Sequence, residues 1–268
     1  MTFHCGTKTD LLSRFFWIEV FAEFLTTLLY LFLACGTGLT WNNTPNSVMH
    51  TALTSGLSIA TLAMSVFHVS GGLINPALTV CMMAVGRVSI LKAVFFIAAE
   101  SAGAICGAAI VYGITPSQSV GALGVTAPAN DVTTAQAFVT ELVLTYILVF
   151  AIFAVTDPSR GMTGYGVPLA IGITVFICLM HGIPSSGASL NPARSLGPAV
   201  IMNSWKDHWV RKQVVDDVVA KFACPNKGIF YPSANVFYGI LLSNLSFSEC
   251  VFFCYILGTC WPFERGFY

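Results

Sequence analysis

Apolar residues along this chain run in long blocks and do not alternate with polar ones. Blocks of about 20 residues, the length a helix needs to cross a ~30 Å hydrocarbon core, cover 15–39, 48–67, 91–114 and 135–155. The run 167–184 is somewhat shorter, and 236–258 is a sixth block interrupted by Ser, Asn and Glu249. Two further apolar stretches, 75–85 and 191–202, lie after the second and fifth blocks. About ten residues cannot cross a membrane as a helix, so each predicts a half-span.

Composition agrees with this pattern. Apolar residues make up 56% of the 268 positions and charged residues only 9%, against roughly 25% charged in a soluble domain. Mean hydropathy is +0.77. Such a surface belongs in a lipid bilayer. Twelve Lys and Arg balance twelve Asp and Glu, so there is no basic face for nucleic acid. The nine cysteines sit mostly alone in apolar runs, where Cys behaves as a small hydrophobe. No metal-ligand set, cofactor motif or nucleophile–base pair appears, which argues against an enzyme.

Lys8 and Arg14 precede the first block, Arg87 and Lys92 lie between the second and third, and Arg160 between the fourth and fifth. The connections 40–47 and 115–134 carry no Lys or Arg. The bias places the N-terminus in the cytoplasm. Asn42 begins a glycosylation sequon in a connection that this topology puts outside.

The chain also repeats itself. Glu23 in the first block matches Glu141 in the fourth, and Gly56 and Gly172 each precede an Asn by 19 residues. The peptides SGGLINPALT (70–79) and SGASLNPARS (186–195) then match almost residue for residue. Three spans per copy is an odd number, so the second copy is inverted in the membrane. Short Pro-interrupted segments at equivalent positions of inverted repeats point to a midplane site.

Asn75-Pro76-Ala77 and Asn191-Pro192-Ala193 read as helix starts. Asn is a strong N-cap, and Pro is favoured at the first helical position. Two such starts meeting head to head would aim positive dipole ends at one point and leave the amide NH₂ groups facing a lumen. A water oxygen is favoured there and a proton or metal cation is not. Arg194 falls in the first turn of the second half-helix, at membrane depth, where a cation is costly. It reads as a group that lines a pore, donates hydrogen bonds to solute and repels cations.

With these residues, from about 15 to 210, the chain resembles the aquaporins, the major intrinsic protein family. The resemblance implies an all-α membrane protein: a right-handed bundle of inverted repeats with about six transmembrane helices and two re-entrant half-helices. It implies a homotetramer in the plasma membrane, each subunit with its own pore for water, and no cofactor. Repeat one would occupy 15–114 and repeat two 135–210, after a cytoplasmic N-terminus 1–14. Glu23 and Glu141 would support the loop backbone before each half-helix, with Gly56 and Gly172 nearby and His68 beside the first loop.

The outer filter of that family typically holds an aromatic, a His, a small residue and an Arg; the matching positions are Ser55, Leu179, Ala188 and Arg194. Loss of two large groups predicts a wider pore that admits glycerol or urea besides water, although Ser195 and Ala199 resemble the water-selective branch. Glu100 stands where relatives tend to carry Gln and is expected to do the same structural work. After Val210 the resemblance stops: eight charges crowd 206–227, and 211–268 reads as a divergent segment with a candidate sixth span at 236–258. Two other classes fit part of the pattern, an ion-coupled carrier and a non-conducting assembly protein. The pore motifs offer amides and one Arg where a carrier usually places acidic groups.

Overall fold

The computed structural model describes residues 5–41, 44–157 and 166–205. The chain divides into compact units Met1–Ala223 and Cys224–Tyr268, and every described residue lies in the first. The proposed sixth span at 236–258, the charged stretch 206–227, Arg160 and Asn42 lie outside the described residues.

Eight helices are described: α1 Lys8–Leu12, α2 Arg14–Gly36, α3 Val48–Val66, α4 Pro76–Ala84, α5 Ile90–Ile114, α6 Thr134–Val155, α7 Gly166–Gly182 and α8 Pro192–Ile201. Two-residue strands β1 Thr40–Trp41 and β2 Thr44–Pro45 pair antiparallel in a connection where the sequence predicts only a loop. The apolar blocks and the helices coincide to within about three residues, because the breaks carry the capping chemistry. Ser47, Ser89 and Thr133 accept from backbone N–H groups of His50, Lys92 and Gln136 at the starts of α3, α5 and α6. Helices α2, α5 and α6 are long and apolar enough to cross a membrane, and α7 is a shorter apolar helix.

In a bilayer, helices associate through close backbone contact at small residues. Helix α2 packs on α5, and α3 on α7. Gly103 and Gly107 of α5 lie directly against the carbonyls of Phe24 and Leu28 on α2. Gly56 and Gly172 meet each other at the α3–α7 crossing, where a Cβ on Gly56 would stand 2.6 Å from the Gly172 oxygen. The matched glycines of the two repeats are therefore a packing contact. The half-helices α4 and α8 both pack on α5.

Candidate functional site

Each half-helix begins as its sequence predicts. Asn75 Oδ1 accepts from Ala77 N at 3.0 Å, and Asn191 Oδ1 from Ala193 N at 3.0 Å and Arg194 N at 3.2 Å. Pro76 and Pro192 take the first helical positions, where a missing N–H costs nothing. The two starts are tied to each other. Asn75 Nδ2 donates to the Leu190 oxygen at 2.9 Å, and Asn191 Nδ2 donates to the Ile74 oxygen at 2.8 Å. This corrects the expectation that both amide groups are free: one N–H of each is spent across the repeats and one is left over. The acceptors belong to residues held left-handed, Ile74 at φ 55° and Leu190 at φ 56°. That conformation is costly for L-residues, most of all for β-branched Ile, by about 1–3 kcal/mol.

Buried carboxylates hold these turns. Glu23 accepts from Leu73 N at 3.0 Å and Ile74 N at 2.8 Å, and Glu141 from Ser189 N at 2.8 Å and Leu190 N at 3.2 Å. These are equivalent positions of the two repeats. Ser70 Oγ also donates to Glu23 at 2.6 Å, whereas its counterpart Ser186 donates to the Gly182 oxygen at 3.4 Å. A third carboxylate serves repeat one only: Glu100 Oε1 accepts from Asn75 N at 3.2 Å and Thr79 Oγ1 at 2.8 Å. His68 does not join this network. It lies exposed in the turn after α3 and makes no hydrogen bond among the described residues, so Ser70 and Glu23 hold the first loop without it.

A cavity of about 260 Å³ is lined by both asparagines, and Arg87, Thr156, Tyr30 and Leu179 also stand in its wall. Its wall is mostly apolar, and repeat-equivalent pairs line it: Ile59 with Val175, Leu73 with Ser189, and Tyr30 with Leu148. Neither Tyr30 nor Leu148 belongs to a motif, yet each stands seven residues, two helical turns, after a buried glutamate and so on the same face.

Of the four filter positions, Leu179 lines this cavity. Ala188, fully buried at φ 47°, packs on Gly182, one turn beyond Leu179. Ser55 is buried on α3 and is not part of the cavity wall. Arg194 is 7% exposed; its Nη1 donates to the Gly124 oxygen and to Thr126 Oγ1, the latter at 2.8 Å. The connection 115–133 thus orients Arg194, through partners that no motif announces. Cys81 and Cys178 are buried at 1% exposure and pack as small hydrophobes.

The profile described as Major intrinsic protein matches residues 10–213. Human aquaporin-4 is 45% identical over 202 residues, 74% of this chain and 62% of its own, so the chain spans less than two thirds of that relative. Human aquaporin-5 is 41% identical over 259 residues, 96% of this chain and 93% of its own, an alignment that extends past Val210. The X-ray structure of the aquaglyceroporin from Plasmodium falciparum superposes with a TM-score of 0.70 at 21% identity, covering 78% of this chain and 94% of that one, and shows the same all-α membrane fold. Two cross-bonded Asn-Pro-Ala half-helices, paired glutamates and a profile match over three quarters of the length agree: the chain belongs to the major intrinsic protein family.

Proposed function

We propose that this protein is a passive transmembrane channel that conducts water and excludes protons and ions. The observation that carries this reading is the pair of half-helix starts bonded to each other beside a mostly apolar cavity. Each asparagine keeps one N–H for a water oxygen, and both dipoles oppose a cation. The channel would be built from 15–210, with the N-terminus cytoplasmic, in a homotetramer at the plasma membrane. Exposed apolar residues along α2, such as Phe21, Leu25 and Leu29, suit lipid or neighbouring subunits.

Proteoliposomes in a hypotonic step test the reading. Water flux well above empty vesicles, with low activation energy, is the expected result; no excess flux from correctly inserted protein would overturn it. Glycerol or urea in an iso-osmotic gradient tests a second reading, which rests on Ser55 and Leu179 standing where bulkier polar groups narrow such pores. Swelling in glycerol or urea is expected to be slower than water flux but above background.

Arg194 is the proposed cation and size filter, with Ser55, Leu179 and Ala188. Arg194→Val removes one buried positive charge and the bonds to Gly124 and Thr126. Proton and urea flux relative to water is expected to rise about tenfold, and unchanged ratios would remove Arg194 from that role.

A further inference from the structure

Arg87 contributes to the charge bias between the second and third apolar blocks, and its place in the fold gives it more to do. Helix α4 ends in a Schellman turn: Gly86 N donates to the Met83 oxygen and Arg87 N to the Met82 oxygen, both at 2.9 Å, with Gly86 at φ 76°. This turn sets Arg87 just past the carbonyl end of the half-helix, where a cation is favoured. Its side chain then crosses to the other repeat. Nη1 donates to Thr156 Oγ1 at 2.8 Å, and the guanidinium lies over the Phe153 ring, 5.5 Å from its centre. Thr156 in turn donates to the Ile152 oxygen at 2.7 Å. Arg87, Thr156 and Ile152 all line the cavity.

The repeat explains why a charge is needed there. Leu78 occupies in α4 the place that Arg194 occupies in α8, three residues after Asn, and Leu78 faces the cavity. The first turn of the repeat-one half-helix therefore brings no charge to the cavity. Arg87 precedes the start of α5, while Gly124 and Thr126, which hold Arg194, follow its end. A helix of 25 residues, about 37 Å long, separates the two. The second half-helix closes with a similar turn, Asn203 N to the Val200 oxygen and Ser204 N to the Ala199 oxygen, but places an uncharged Ser where the first places Arg87.

We propose that Arg87 is a specificity-determining residue: a tethered positive charge in the cavity wall, at the other end of α5 from the connection that holds Arg194, that turns cations back before they reach the asparagine pair. The proposal rests on the channel reading. Potassium and proton leak, normalised to water flux in the same proteoliposomes, would be compared in Arg194→Val and in the doubles Arg194→Val/Arg87→Gln and Arg194→Val/Arg87→Lys. Because Arg87 is partly in solvent, a modest effect is expected: leak about fivefold higher in the Gln double than in Arg194→Val. The Lys double should match Arg194→Val, and the excess should vanish in ~1 M salt, where charges are screened within about 3 Å. Equal leak in Arg194→Val and the Gln double would overturn the proposal, as would an excess insensitive to salt or shared by the Lys double. Water flux lost in the Arg87 doubles alone would make the tether structural and also overturn it. Absent water flux in the unsubstituted protein would instead overturn the channel reading.

Discussion

Glu23→Leu is expected to abolish water permeation and to prevent most of the protein from reaching a folded oligomer, with Glu141→Leu somewhat milder. The Glu23 carboxylate is the acceptor for Ser70 Oγ, Leu73 N and Ile74 N. Leucine takes the acceptor from three donors around a fully buried position. A buried donor without a partner costs about 1–3 kcal/mol, so the loss is comparable with the whole stability of an ordinary domain, about 5–15 kcal/mol. Among the described residues Glu141 receives Ser189 N and Leu190 N, one donor fewer, hence the smaller effect. Both losses also release a left-handed residue whose carbonyl anchors the opposite asparagine. Glutamine keeps one acceptor oxygen, so Glu23→Gln should retain part of the flux. Size-exclusion profiles after heating, beside flux in proteoliposomes, check the order Glu23→Leu, Glu141→Leu, Glu23→Gln from most to least damaged. Wild-type flux from Glu23→Leu would show that the loop holds its shape without the carboxylate.

Much of this site is legible in the sequence. Apolar blocks gave helix ends because Ser and Thr caps sit at the breaks, and Asn-Pro-Ala gave helix starts because Asn caps and Pro needs no N–H. The paired glutamates stood out because charge at membrane depth is too costly to be idle. What stayed hidden depends on direction in space. The cross-bonds of Asn75 and Asn191 require left-handed Ile74 and Leu190, and a β-branched residue gives no sign of that conformation. Helix α6 is apolar nearly all round, so periodicity could not say that Leu148 and Ile152 are the positions that meet the cavity. Arg87 was visible as a charge, but its reach to Thr156 depends on a turn that closes only when α4 ends. Gly124 and Thr126 lie in a connection without any motif, and only their approach to Arg194 reveals their use.

Gly56→Leu is expected to stop the protein accumulating in membranes, and Gly172→Leu to do the same. At Gly56 a Cβ would stand 2.6 Å from the Gly172 oxygen and 2.7 Å from Phe176 Cβ; at Gly172 it would stand 2.5 Å from Ala60 Cβ. Backbone and Cβ atoms cannot rotate away as the end of a long side chain can, so the helices must separate. Alanine already forces that shift, at a cost of about 1–3 kcal/mol for overpacking, and leucine adds three more carbons to the same gap. Function should fail even where some protein survives, because α7 carries Leu179 and Val175 into the cavity and α3 carries Ile59. Gly113→Leu is the matching control. A Cβ there meets nothing within 4 Å, while helix propensity changes by the same amount as at Gly56. Membrane yield near wild type for Gly113→Leu and near zero for Gly56→Leu would locate the effect in the α3–α7 contact. Equal loss in both would mean that leucine acts through the helix or the lipid, and the glycine pair would no longer explain how the two repeats are held together.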